Sequence, residues 1–316
     1  MKISLIIPTL NAEKEIDRLL QSLNRQTLPP DEVIVIDSQS EDNTERICRS
    51  YEKVTFITVE RSGFDHGGTR DDAFRRSSGD FVLFLTQDAL PVDEQYVERL
   101  LLPFRDESVA MASGRQIAKE DASEREKLTR KFNYPPVSRI KTQNDIPVLG
   151  IKTFFASNVC SAYCRSAYMQ IGGFDFPLLT DEDLLIAARF IRKGYKVAYC
   201  AEAKVFHSHD FSLKQHFARN FDIGAFMKMN AHVFQDIRAT REGLKMVKRI
   251  LPELLKKRHL LQAVYYCCES GVKLIAYLLG FHYRRWSRRW ILHCTSNKNF
   301  WNRRFAVSSS KDLPLI

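Results

Sequence analysis

An α/β fold around a mostly parallel sheet is predicted by three features of this 316-residue chain. Short apolar or β-branched runs recur through the first ninety residues, segments with apolar residues at helical spacing lie between them, and polar residues follow the carboxyl ends of the runs. That alternation is the pattern of βαβ units. Lys2–Pro8 reads as the first strand, and Asn11–Leu23 as a helix with Ile16, Leu19, Leu20 and Leu23 on one face. Glu32–Ile36 is a second strand, followed by a helix over Asp42–Tyr51, and Thr55–Val59 is a third strand. Thr69–Arg76 is helical, and Asp80–Leu85 is a buried strand running into Thr86-Gln87-Asp88. Further on, Asp121–Phe132 reads as an exposed charged helix and Asn133–Pro147 as a polar loop with three prolines. Asp181–Lys193 is a helix, and Lys196–Ala198 and Lys204–His207 are two short strands. From Leu213 to about Arg289 the pattern is helical, with breaks expected at Pro252 and Gly280.

Composition narrows the function classes. With 44% hydrophobic and 27% charged residues the chain is neither disordered nor collagen-like. Seven scattered cysteines with no CxxC pair exclude a disulfide scaffold and a four-thiolate zinc site, and suit a reducing compartment. The net charge of +10 is unevenly placed. Residues 238–305 hold 16 Lys+Arg against 3 Asp+Glu, whereas residues 1–237 hold 31 against 34. The basicity belongs to the C-terminal quarter, so its partner should be anionic. No targeting segment is evident, and the longest apolar stretch, Ala263–Phe281, is interrupted by Glu269, Ser270 and Lys273. A cytosolic protein that touches a membrane is the expectation.

Chemistry is expected past the carboxyl ends of the strands, where open α/β sheets form their ligand crevice. Asp37 and Asp88 both sit there. Asp37 taken alone reads as a turn former. Asp88 emerges from a buried strand, where a carboxylate without a partner is costly, and a metal or substrate cation would offset that cost. Thr180-Asp181-Glu182-Asp183 reads as a helix start with acidic residues at the positive end of the dipole. His207-Ser208-His209-Asp210 is by itself a weak metal signal.

Taken in order, Pro8-Thr9-Leu10-Asn11, the segment from Ile36 to Thr44, Thr86-Gln87-Asp88-Ala89, Gly172-Gly173-Phe174-Asp175, Glu182-Asp183 and His207 form a set. Over residues 1–225 it resembles the family 2 inverting glycosyltransferases, whose GT-A fold is Rossmann-like. Phe64–Arg70, Leu85–Ala89 and Phe221–Gly224 look most like the bacterial rhamnosyltransferases within that family. The resemblance implies that Pro8, Leu10, Asn11, Glu13, Asp37, Arg70, Gln87 and Asp88 bind a nucleotide-sugar donor, with Asp37 accepting from a pyrimidine N3–H and Arg70 near the base or diphosphate. It implies a divalent metal, Mg²⁺ or Mn²⁺, at Asp88 and His207. Gln87 stands where a second aspartate is usual, so the nucleotide diphosphate must supply more of the metal's shell. Asp183 matches the catalytic base, with Arg189 six residues on. Glu182 and His209 are placed, with less to support them, on the acceptor or diphosphate side.

Two domains are expected: a GT-A catalytic domain at 1–225 and a basic helical region at 226–316. In the latter, Lys/Arg clusters alternate with aromatic residues, as an in-plane membrane helix requires. Tyr277, Leu278, Leu279, Phe281, Trp286 and Trp290 are its expected apolar anchors. An anionic membrane surface is therefore preferred as the partner, ahead of a solvated helical face that merely packs on the catalytic domain and of nucleic acid. The function implied is transfer of a sugar, L-rhamnose from dTDP-L-rhamnose, onto a lipid-linked glycan of bacterial surface polysaccharide, on the inner face of the plasma membrane. The rival is a non-catalytic nucleic-acid or lipid-surface binding protein on a nucleotide-binding fold.

Overall fold

A computed structural model describes residues 1–234, 237 and 240–309. The chain divides into two compact units. The first comprises 1–122, 130–176 and 182–208, and the second 123–129, 177–181 and 209–316. The expected boundary at 225/226 therefore moves upstream to 208/209, because a single helix runs through the expected position.

In chain order the elements are β1 (Ile3–Thr9), α1 (Ile16–Asn24), β2 (Glu32–Asp37), α2 (Thr44–Arg49), β3 (Val54–Thr58), α3 (His66–Arg76) and β4 (Phe81–Leu85). There follow β5 (Leu90–Pro91), α4 (Tyr96–Leu101), β6 (Val109–Ile117), α5 (Glu124–Asn133), β7 (Arg139–Lys141), α6 (Ile146–Leu149), β8 (Cys160–Cys164) and α7 (Arg165–Gln170). The remainder are α8 (Glu182–Arg192), β9 (Lys196–Phe206), α9 (Leu213–Met229), α10 (Thr240–Lys256), α11 (Leu260–Phe281), α12 (Arg288–Cys294) and α13 (Lys298–Ser309).

The first unit holds one nine-stranded sheet in the order β3-β2-β1-β4-β8-β6-β9-β5, with β7 paired to β9. β1, β2, β3 and β4 are mutually parallel, while β8 runs antiparallel to both its neighbours. Central strands β1 and β4 bury nearly every side chain, which is why they read as continuous apolar runs rather than alternating ones. Leu19, Leu20 and Leu23 of α1 close one side of this core against Leu5, Ile7 and Val35. The order in which successive strands are added reverses between the parallel neighbours β1 and β4, the switch point at which such sheets bind ligands.

Some expectations are corrected. Residues 11–15 form a turn instead of the start of α1, since Asn11 lies at φ 51° and spends its side chain on the β2–α2 loop. The two short strands near 196–207 are one, β9, because β6 pairs with both its halves, up to Cys200 and again from Lys204, across an irregularity at residues 201–203. The 133–147 loop contains β7, which pairs with β9.

The second unit is helical. Pro252 lies inside α10 rather than ending it, and the break comes after Lys256, where Arg258 adopts φ 59°. The break expected at Gly280 holds to within a residue, since α11 ends at Phe281. A Cβ on Gly280 would meet the Phe221 carbonyl oxygen at 1.9 Å, and one on Gly224 would meet that of Tyr277 at 2.1 Å. The two glycines let α9 and α11 cross with their backbones in contact. Around that crossing pack Phe221, Ala276, Tyr283, Ile291 and the wholly buried Trp301. Leu279 and Trp290, expected as membrane anchors, are partly buried against this core. Leu278 and Trp286 are exposed.

Candidate active site

The loops after β1, β2 and β4 build the first part of the site. β1 and β2 pair in register to Thr9 and Asp37, so the two side chains emerge together, and Thr9 Oγ1 donates to Asp37 Oδ1 at 2.7 Å. Ser40 donates its hydroxyl to Oδ1 at 2.6 Å and its amide to Oδ2 at 2.7 Å. Three described donors thus hold a buried carboxylate that can accept about four bonds. Asn11 accepts from the Glu41 amide at 2.9 Å, and Glu13 accepts from the Asn43 amide and side chain. Asp42, not foreseen as a site residue, accepts from Glu13 N at 3.0 Å and from Thr44. Burial acts to raise its carboxyl pKa, but hydrogen bonds from Thr44 and the Glu13 amide outweigh that and hold it below the usual range.

Gln87 crosses the switch point. Its Oε1 accepts from Leu10 N at 2.8 Å and its Nε2 donates to Leu10 O at 3.2 Å. An aspartate could accept from that amide but could not donate to the carbonyl. Here the position that the resemblance associates with metal binding ties β1 to β4 instead. Beside it a cleft of about 420 Å³ is lined by Gln87 and Asp88, with Lys14, Arg18 and Lys119 balanced by Glu15, Glu120 and Asp88 itself. Leu10 is exposed, and Pro8 lies within β1 opposite Ile36.

Asp88 meets the end of β9 at His207, Oδ2 to Nε2 3.4 Å. The histidine is buried, and its Nδ1 lies 2.9 Å from Gln116 Oε1. Arg130 donates to that same oxygen, and Gln116 Nε2 donates to Ser157 Oγ at 3.0 Å, so the amide orientation is settled by its partners. Nδ1 therefore carries a proton donated to Gln116, and Nε2 is the nitrogen that faces Asp88. A ligating histidine needs this orientation. One carboxylate oxygen and one imidazole nitrogen side by side fit a divalent cation, and His209, exposed and two residues along, offers a third ligand atom. Gln116 had no sequence signal beyond being a polar residue in an apolar strand.

The last cluster lies at the start of α8. Asp183 Oδ2 accepts from Asn158 N at 3.0 Å and Oδ1 from Leu184 N at 2.8 Å. Its neighbour Glu182 is buried and pairs with Arg70 at 3.4 Å, while Asn158 Nδ2 donates to it at 3.2 Å. Burial would raise the Glu182 pKa, but the charges of Arg70 and His66 and the Asn158 bond more than reverse this, so the group stays ionised. Arg70, implied near the base or diphosphate, has its guanidinium on Glu182 and on the His66 carbonyl. Arg189 is turned to Gly173 O, Asp175 and Ile171 O, where it fastens the 171–175 turn. Gly67 lets that turn approach α3, since a Cβ would meet Asp175 O at 2.3 Å. Asn158 was missed by sequence reasoning. Its Oδ1 also accepts from Ser161 and Tyr163, so its side chain ties β8 to Glu182 while its backbone amide holds Asp183. Nothing in Ser157-Asn158-Val159 signals it.

Residues 4–172 match the family described as Glycosyl transferase family 2. Along its whole length the chain is similar to O-antigen chain rhamnosyltransferase RfbN of Salmonella typhimurium, 37% identical over 321 residues, covering 99% of this chain and 100% of the relative. O-antigen chain rhamnosyltransferase WbaN of Salmonella anatum is 38% identical over 98% of each chain. In fold the chain resembles the mannosyltransferase PcManGT from Pyrobaculum calidifontis, solved in complex with GDP-Man and Mn²⁺. The TM-score is 0.61 at 16% identity, over 89% of this chain and 87% of that one. A sheet with its switch point, carboxylates at the strand ends and a family match over half the chain lead to one assignment: the protein belongs to glycosyl transferase family 2 and is a glycosyltransferase of GT-A fold.

Proposed function

We propose that the enzyme transfers L-rhamnose from dTDP-L-rhamnose, with inversion, onto a lipid-linked saccharide during assembly of a bacterial surface polysaccharide such as O-antigen. The observation that carries this reading is the end-to-end similarity to two O-antigen chain rhamnosyltransferases, since similarity confined to the nucleotide-binding half would speak only for the family. The donor's pyrimidine is read into the β1–β2 loops, where Asp37 retains an acceptor position and Pro8, Leu10, Asn11 and Glu13 frame the pocket.

Asp183 is the proposed base. It takes the acceptor hydroxyl proton while that oxygen attacks the anomeric carbon, and no protein nucleophile is needed. Two backbone amides fix its carboxylate, and the buried Glu182–Arg70 pair beside it holds the helix start in place. A divalent cation, Mg²⁺ or Mn²⁺, would be held by Asp88 and His207, with His209 as a further ligand, and would neutralise charge on the departing nucleoside diphosphate. Gln87 keeps the two strand ends from separating when the anionic donor enters.

The acceptor places the enzyme at the inner face of the plasma membrane, and the basic second unit is read as its attachment to anionic lipid. The test is purified protein presented with a panel of nucleotide sugars and Mg²⁺ or Mn²⁺. Stabilisation and turnover are expected with dTDP-L-rhamnose above the others. Preference for another sugar would overturn the donor, and absence of binding or hydrolysis with every donor would overturn the reading.

A further inference from the structure

Helix α11 is built the opposite way round from an ordinary surface helix. Its exposed positions form a row at alternating three- and four-residue spacing: Leu261, Val264, Cys268, Gly271, Ile275 and Leu278. Leu261 is 89% exposed, Val264 65% and Ile275 57%. Leu260 and Leu274 widen the same stripe, and no exposed position of this helix carries a charged side chain. The helix's charged residues are turned inward. Glu269 is buried, where it pairs with Arg125 at 3.1 Å and with Lys273. Helix α10 is the contrast within the same unit, since it exposes Lys245, Lys248, Arg249 and Lys256. A contiguous apolar face of this length on a soluble surface marks an interaction site.

The charges at the two ends identify what covers it. Lys256, Lys257 and Arg258 precede α11, and Arg284, Arg285, Arg288 and Arg289 follow it, all exposed. Laid against a second copy, in either direction, the stripe would bring basic cluster onto basic cluster. Against a sheet of anionic headgroups both clusters find counter-charge at once. Among the described residues no helix is long and apolar enough to cross a membrane. The 22 residues of α11, about 33 Å long, would therefore lie in the plane of the interface.

We infer that the outward face of α11 is the part of the protein that enters an anionic lipid surface, with Trp286 and the flanking arginines at headgroup level. This deepens, and rests on, the reading of the second unit as membrane-attached. It also replaces Tyr277, Leu279 and Phe281, which are not exposed, with a different set of anchors.

The experiment is flotation of full-length protein with phosphatidylcholine vesicles, with and without phosphatidylglycerol, at low and high salt. Leu261→Glu combined with Ile275→Glu is compared with wild type, and the milder pair Leu261→Gln, Ile275→Gln guards against misfolding, which melting curves check. Wild type is expected to float with anionic vesicles, less so at high salt, and both pairs to lose roughly tenfold or more of the bound fraction, as two apolar side chains cease to be buried. In a Cys164→Ser, Cys267→Ser background, a polarity-sensitive dye on Cys268 should shift to the blue on those vesicles. Undiminished flotation of both variant pairs would overturn the inference while leaving membrane attachment intact. Failure of wild type to float would overturn both, and a dimer dissolved by these substitutions would identify a second copy as the occupant instead. Donor hydrolysis in lipid-free solution, measured in parallel, reports on the proposed function separately and should be equal in all variants.

Discussion

In the first unit the strands that make the core are apolar on both faces, and the polar side chains gather past their ends at Asp37, Gln87, Asp88 and His207. In the second unit carboxylates lie inside. Glu269 is enclosed by Arg125, His216 and Lys273, and Asp222 is held by Thr295 and Ser296, while leucines and a valine face outward from α11. A sheet satisfies its own backbone polar groups, so central strands can be largely apolar on both faces. The first unit's buried carboxylates Asp37 and Glu182 lie at the end of a strand and the start of a helix, where they are free for chemistry. Crossing helices fix partners by close backbone contact and by paired charges, and their outer face is free to be apolar if something covers it.

If chemistry belongs to the rim of the first unit, the largest effect of any single change should come from Asp183→Asn. Transfer should fall by about 10³-fold, within the range for loss of a general base, with donor binding kept and a small fall in melting temperature, since one of the two backbone amides loses its acceptor. Rapid-quench or steady-state transfer assays check this, and near-normal turnover would remove Asp183 as the base. Gly280→Ala tests the other side of the comparison. Its added Cβ would meet the Phe221 carbonyl, so unfolding in urea should show a loss of about 3 kcal/mol, the upper range for overpacking. Helix propensity alone would predict a gain.

Asn158→Ala sharpens the boundary between structure and chemistry. It strips one hydrogen bond from Glu182 and leaves Ser161 and Tyr163 short of a partner, costing about 2 kcal/mol of stability. Because the hydrogen bond to Asp183 comes from the backbone amide and survives the substitution, kcat should fall far less than in Asp183→Asn, which steady-state transfer assays check. The smallest effect concerns pH. His216 lies 3.4 Å from Glu269, yet burial first, and then Lys273, Arg125 and Arg219, outweigh that carboxylate and push its pKa down to about 4. Between that value and the ordinary 6.5 the unfolded chain binds more protons than the folded one. Stability should therefore decline as pH falls from 6.5 toward 4, and His216→Gln should flatten that part of the slope in urea titrations.

Strand β1, strand β4 and the face of α1 were legible because burial on a sheet or on one helix face leaves a period in the residues themselves. Asp88, Asp183 and His207 were legible only as an ordered set, since each alone is an ordinary turn, helix start or strand end. The structure brings Asp88 and His207 together and places Asp183 against Asn158, a residue that no local pattern marks.

By itself the sequence determined the parallel strands, the order of the carboxylates and the location of the positive charge, because each is a property of neighbouring residues. Only the tertiary structure decided which nitrogen of His207 faces Asp88, that Gln87 is spent on Leu10, that Gly280 is a crossing point and that α11 turns its leucines outward. Each of these depends on what lies opposite a side chain, and the partner can be far along the chain, as Asp88 is from His207.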